Sequence, residues 1–138
     1  MSLNPKIWGP HAWFLFHSIT LSYPECPNKT DKEKMKDFFL SLDGVLPCGK
    51  CRQNFKKHLI KHPLTDQILS NKKEVVLWLL NIHNEVNKIN NKRIFTYDEL
   101  IQYYNNEYSK DNKLSYIILV IILIIILLIL FIYFYKNL

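Results

Sequence analysis

Every residue from Leu114 to Tyr135 is uncharged and most are Ile or Leu, and this run of 22 residues constrains the chain more than any other feature. At about 1.5 Å per residue it makes a helix of roughly 33 Å, slightly more than the hydrocarbon thickness of a bilayer. The core helix of a small domain would keep a polar stripe, and only Ser115 offers one here. Tyr116, Tyr133 and Tyr135 sit near its two ends, where amphipathic rings prefer the membrane interface, and Lys110, Lys113 and Lys136 close it off. One membrane-spanning helix is expected. Without the run and Lys136, 113 residues remain at a formal net charge of +5, because the whole chain of 138 carries +6. That is room for one real core and excludes a large multidomain enzyme.

Met1 to Pro10 lacks the apolar stretch of a signal peptide and leads directly into Trp8 and Trp13. Lys110 and Lys113 precede the span and only Lys136 follows it, so the positive-inside bias favours a cytosolic N-terminal domain held by a C-terminal anchor. A structural disulfide role for Cys26, Cys48 and Cys51 conflicts with that placement, since the cytosol keeps thiols reduced and an odd count leaves one unpaired. Cysteines in such a setting do chemistry or hold metal.

Pro and Gly divide the soluble part into segments of helical length, and no run of period-two alternation is long enough for a strand. The expected class is all-α. A first helix opens with Pro10 in its first turn and stops before Pro24; a second opens on a Thr30/Glu33 capping box and buries Met35, Phe38, Phe39 and Leu42. A third begins at Cys48 and stops before Pro63. A fourth, capped by Asn71 with Glu74, carries Val75, Val76, Leu79, Leu80, His83 and Val86 at helical spacing, and a fifth runs from Thr96 to about Tyr108. Short connections between these elements imply a four-helix bundle with a short fifth helix. The expected organisation is a soluble domain over residues 1–108, a juxtamembrane linker over 109–113, the membrane helix over 114–135 and a short tail over 136–138.

Cys48-Gly49-Lys50-Cys51 opens a helix, where unpaired N–H groups and the positive end of the helix dipole stabilise a thiolate, as do Lys50 and Arg52. Three rivals compete with a redox dithiol. Zinc on Cys48, Cys51, His58 and His62 fails on reach, because Cys51 and His58 are about 10 Å apart along one helix and no metal ligand is assigned. A c-type haem needs His after the second Cys, where Arg52 stands, and a thioredoxin needs a strand before the CxxC. A dithiol with neither metal nor sheet wants another electron acceptor. Trp13 and His17 share a helix face, and His83 and Asn87 repeat that spacing, which suits a flat heterocyclic cofactor wedged in the bundle. Taken singly, each of these residues also fits ordinary packing. A different class, a membrane-anchored adaptor with a basic surface of Lys50, Arg52, Lys56, Lys57 and Lys61, stays open, although such charge runs are commonly solvated faces and no nucleic-acid motif is present.

Trp8-Gly9-Pro10-His11-Ala12-Trp13 with His17, then Pro47-Cys48-Gly49-Lys50-Cys51, then His83-Asn84-Glu85-Val86-Asn87 with Lys92, resemble in order and spacing the Erv/ALR family of FAD-linked sulfhydryl oxidases over about residues 5 to 108. The likeness is strongest to its minimal viral members. Together with an Asn-, Ile- and Lys-rich composition it points to a viral source and a host or virion membrane. The resemblance implies noncovalent FAD, a homodimer, protein thiol substrates or a thioredoxin-like carrier, dioxygen as final acceptor and no nucleic acid. It makes Cys51 the flavin-proximal thiol and Cys48 the interchange thiol that meets the substrate. Gly9, Trp13, His17, His83, Asn84, Asn87 and Lys92 match family flavin contacts, Tyr104 stands where an aromatic closes the pocket, and Tyr23 is a further assignment. The second, shuttle cysteine pair frequent in the family is absent, which leaves Cys26 outside the relay.

Overall fold

The computed structural model describes residues 3–136, apart from the side chains of residues 111–114. Asn137 and Leu138 of the expected tail, and the flanking side chain of Lys113, lie outside the described residues. The chain is all-α: α1 (Pro5–Leu21), α2 (Lys29–Val45), α3 (Gly49–Lys61), α4 (Asp66–Leu69), α5 (Lys72–Ile89) and α6 (Tyr97–Lys136). It divides into two units, one up to Tyr97 and one from Asp98 onward.

Local chemistry sets the helix starts, in two cases earlier than the sequence suggests. α1 starts at Pro5 rather than Pro10, because the Asn4 side chain accepts from the Lys6 N–H and Pro5 can sit at the first helical position, where no N–H is needed. Pro10 is consequently inside the helix. α2 has its capping box two residues ahead of Thr30: Asn28 accepts from the Asp31 N–H and Asp31 accepts from the Asn28 N–H, at 3.0 and 2.9 Å. Asn is at least as good a cap as Thr, and Pro27 stands immediately before it. Asn71 caps α5 as expected, accepting from the Glu74 N–H. α4 is a single turn, too short to show a period, with Thr65 as its cap.

In the first unit α1 packs on α5, α2 on α3, and α4 against both α5 and α2. Phe16, Phe39, Leu69, Trp78, Leu79 and Ile82 form the centre, with the Phe39 ring edge-on to Trp78 at 5.0 Å. The Trp78 indole N–H donates to the His62 carbonyl at 2.8 Å, which fixes the end of α3 against α5. In the second unit the expected fifth helix and membrane span are one continuous helix of 40 residues. Residues 109–113 contain no Gly or Pro to break it. α6 is long and apolar enough to cross a membrane, and none of its apolar stretch is buried.

Phe39 is completely buried, so Phe39→Ala should lower unfolding free energy by roughly 3–5 kcal/mol. Ile89→Ala, at an exposed position in the last turn of α5, should stay within about 0.5 kcal/mol. Chemical denaturation of the two variants beside the parent checks both values.

Candidate functional site

The face that α1 turns toward α5 carries Trp13 and His17 one helical turn apart, and α5 meets them with His83. The Trp13 and His83 rings stack at 4.0 Å with planes 6° apart. His17 tilts against both, and its Nε2 shares a hydrogen bond of 2.9 Å with His83 Nδ1. His17 is 1% exposed. Burial lowers its pKa to about 3, with His83 adding to the effect, and lowers that of His83 to about 4, where the Lys92 charge adds. Both rings are therefore neutral near pH 7, and one N–H lies between them.

The rest of the motif on α5 acts on the backbone that follows. The Asn84 amide donates to the Phe95 carbonyl and accepts from the Phe95 N–H, at 2.8 and 2.9 Å, which pins the segment leading to α6. Asn91 takes a left-handed conformation at φ 52°, one that Asn tolerates better than most residues. That turn lets the Lys92 N–H return to the Asn87 carbonyl at 2.8 Å, and Asn87 itself is buried. At Gly9 an added Cβ would meet nothing within 4 Å.

Cys48 and Cys51 form a disulfide across the start of α3, with Cα atoms 5.1 Å apart. Cys48 is the N-cap, and its Sγ accepts from the Cys51 N–H at 3.2 Å. Cys48 is 7% exposed and Cys51 is half-buried against the core. The Leu46 carbonyl accepts from both the Cys48 N–H and Arg52 Nη1, at 2.8 and 2.7 Å, which holds the loop before the dithiol. Arg52 was expected beside the cysteines only as a cation that favours a thiolate, and nothing adjacent to it in the sequence signals the clamp on Leu46. Glu85, between two of the expected site residues, joins α5 to Lys61 of α3 at 2.7 Å and to Lys88. Hydrogen bonds from these lysines pull its pKa down to about 2.

Tyr23 is buried, and its hydroxyl donates to the Leu69 carbonyl at the end of α4. Tyr104 belongs to α6 in the second unit, its ring edge-on to Tyr103. Cys26 is an exposed free thiol.

The α1–α5 seam fits a flat, polar-edged cofactor by the chemistry of its groups: stacked rings, a buried neutral His pair, a buried Asn, a nearby Lys and an open approach at Gly9. The same burial gives a pH dependence. Unfolding returns His17 to an ordinary pKa near 6.5, so the unfolded state binds more protons below that pH. Stability should be full above about 6.5 and decline as pH falls toward 3, by at most about 1.4 kcal/mol per pH unit for this histidine. His17→Gln should flatten the slope. An unfolding midpoint that stays level from pH 6.5 to 4 in the parent would contradict the neutral pair.

A family model described as the Erv1 / Alr family matches residues 10–108. A probable FAD-linked sulfhydryl oxidase of Acanthamoeba polyphaga mimivirus is 41% identical over 114 residues, covering 83% of this chain and 80% of that one. The FAD-linked sulfhydryl oxidase of African swine fever virus is 34% identical over 92 residues, covering 67% and 75%. Among solved structures, the FAD binding domain of Erv1 from Saccharomyces cerevisiae matches with a TM-score of 0.69 at 26% identity, covering 75% of this chain and 96% of that one.

Proposed function

This chain belongs to the Erv1/Alr family, and from that premise we propose how its residues carry out thiol oxidation. It is an FAD-dependent sulfhydryl oxidase that forms disulfide bonds in protein thiols, with dioxygen as acceptor and hydrogen peroxide as product. The observation that carries the reading is the Cys48–Cys51 disulfide at the start of α3, in a bundle whose α1–α5 seam presents Trp13, His17 and His83.

A substrate thiolate attacks Cys48 Sγ, and the sulfur of Cys51 leaves as a thiolate. A second substrate thiol then attacks the mixed disulfide, releasing the oxidised substrate and leaving Cys48 and Cys51 reduced. The free N–H groups of the first turn of α3 favour the thiolate form of a cysteine placed there. When bound, FAD takes the electron pair from the dithiol and delivers it to dioxygen. Gly9, Trp13, His17, His83, Asn84, Asn87 and Lys92 would hold it. Asn84 would act by fixing the 92–95 segment. Tyr23 would act through the packing of α4, and the role of Tyr104 follows from the family pattern.

The arrangement over the chain follows the same reading. Residues 1–108 form the oxidase domain, 109–113 join it to the span at 114–135, and 136–138 form a tail. The charge bias of the flanks favours a cytosolic catalytic domain on a C-terminal anchor in a host or virion membrane. A homodimer and a protein or thioredoxin-like client complete it.

Cys48→Ser and Cys51→Ser should each abolish oxidation of dithiothreitol while the purified protein stays yellow, because rings and polar groups hold the cofactor. Parent-level turnover in either variant would sink the dithiol assignment. A colourless parent that takes up no flavin would favour the adaptor. Cys26→Ser should leave the rates toward a small dithiol and a protein client near the parent's, since one exposed thiol forms no internal shuttle disulfide. A collapse confined to the protein client would make Cys26 a relay.

A further inference from the structure

Arg52 follows Cys48 by four residues, so its side chain lies over the first turn of α3 on the side of Cys48. Its guanidinium is set there by two contacts. Nη1 donates to the Leu46 carbonyl at 2.7 Å, and Nη2 lies 3.8 Å from where a Cβ on Gly49 would stand. The same Leu46 carbonyl accepts from the Cys48 N–H at 2.8 Å. The charge is thus placed against residues 46–49, on the Cys48 arm of the dithiol, although in sequence Arg52 adjoins Cys51. Arg52 is half-buried and belongs to no ion pair among the described residues. A cation withdrawn from water ordinarily lies against an anion. Here an anion forms only when the disulfide opens. The Cys48 Sγ already accepts from the Cys51 N–H at 3.2 Å, so a negative charge on that sulfur would meet a donor and a cation together. Lys50, between the two cysteines, is exposed.

We propose that Arg52 is the positioning residue that makes Cys48 the leaving sulfur of the mixed disulfide and so drives exchange toward product; this rests on the thiol-oxidase reading above. Attack of a client thiolate on Cys48 Sγ breaks the Cys48–Cys51 bond, leaves the electron pair on Cys51 and joins the client to Cys48. The mixed disulfide then has two fates. Attack of Cys51 on Cys48 Sγ expels the client thiolate and restores the starting state. Attack of a second client thiolate on the client sulfur breaks its bond to Cys48, which departs with the electron pair while the client disulfide forms. In the second case two client thiols have given their protons to solvent and two electrons to the enzyme's sulfurs. The partition turns on which sulfur leaves more readily as an anion. A guanidinium fixed on the Cys48 arm, with the Cys51 N–H on the sulfur itself, lowers the cost of charge on Cys48 and favours the forward route.

The test uses the full chain with its flavin and two variants. Arg52→Gln keeps an N–H donor and loses the charge, whereas Arg52→Lys keeps the charge and loses the planar fork. Lys56→Gln, which removes an exposed charge one turn further along α3, is the control. With Cys26→Ser and Cys51→Ser in place, Cys48 is the one remaining cysteine, and its thiolate fraction at neutral pH is read from ultraviolet thiolate absorbance. Arg52→Gln should lower that fraction roughly ten-fold, and Arg52→Lys and Lys56→Gln by less than about three-fold. With the dithiol intact, Arg52→Gln should shift the equilibrium with glutathione toward the enzyme disulfide by a similar factor. Turnover of glutathione, a monothiol, should fall more than turnover of dithiothreitol, whose second thiol is already tethered for the second attack. Equal losses with Gln and Lys would make Arg52 a structural clamp and overturn the proposal, as would a parent-like thiolate fraction in Arg52→Gln. If Arg52→Gln does not fold, the parent decides: its Cys48 thiolate fraction should exceed that of the same chain in urea, and an equal fraction overturns the proposal. Absence of dithiothreitol oxidation by the parent overturns the oxidase reading along with it.

Discussion

The hydrogen bond between His17 and His83 joins α1 to α5 at a place where burial favours the neutral form of both rings. A charged ring on either side would have to lose the hydration that stabilises it, and two charged rings would have no acceptor nitrogen between them. The stack of Trp13 on His83 lies beside this bond, so the seam combines a flat apolar surface with a polar edge. Elsewhere the centre of the bundle is Phe, Leu, Val, Ile, Met, Trp and Tyr. A polar seam inside an apolar bundle is expensive unless every group is satisfied, and residues of that kind mark where a fold serves function before stability.

The dithiol end is organised differently, by backbone rather than by rings. Leu46 offers one carbonyl to two donors, Cys48 N–H and Arg52 Nη1, while the Pro47 carbonyl accepts from the Leu3 N–H. These three bonds fix the chain just ahead of the disulfide from two directions. Cys48 can then serve as N-cap while its sulfur is held in the disulfide. Lys61 with Glu85 and Trp78 with the His62 carbonyl hold the far end of α3 to α5. The element bearing the dithiol is thereby tied to the element bearing His83 and Asn84.

Much of this was legible in the sequence because its signals are local. Capping residues and helical spacing located α2, α3 and α5, and the spacing of Trp13 and His17 placed both on one face. The start of α2 was offset by two residues because Asn28/Asp31 and Thr30/Glu33 satisfy the same pattern, and the backbone chooses only one. α4 went unseen because one turn carries no period. The continuity of α6 was missed because polar composition at 109–113 reads as a linker, although such residues propagate a helix once it is nucleated on either side. The tertiary roles were the least legible. Nothing near Tyr23 in the sequence tells that its hydroxyl faces Leu69, 46 positions away, and nothing near Arg52 tells that it reaches back to Leu46.

Cations in the first turn of α3 have a further effect, on the helix that carries them. Lys50 and Arg52 sit at the positive end of their own helix dipole, an arrangement that costs a few tenths of a kcal/mol or more per charge and that no acid in that turn offsets. The Cys48 sulfur, largely covered in the bundle, lies at that uncompensated helix start, which the Leu46 carbonyl holds through the Cys48 N–H and Arg52, while the Trp78 and Glu85 contacts hold the other end of α3. The cations that favour a thiolate at this end of α3 thus weigh against the helix itself, and the clamp on Leu46 offsets locally what the dipole costs.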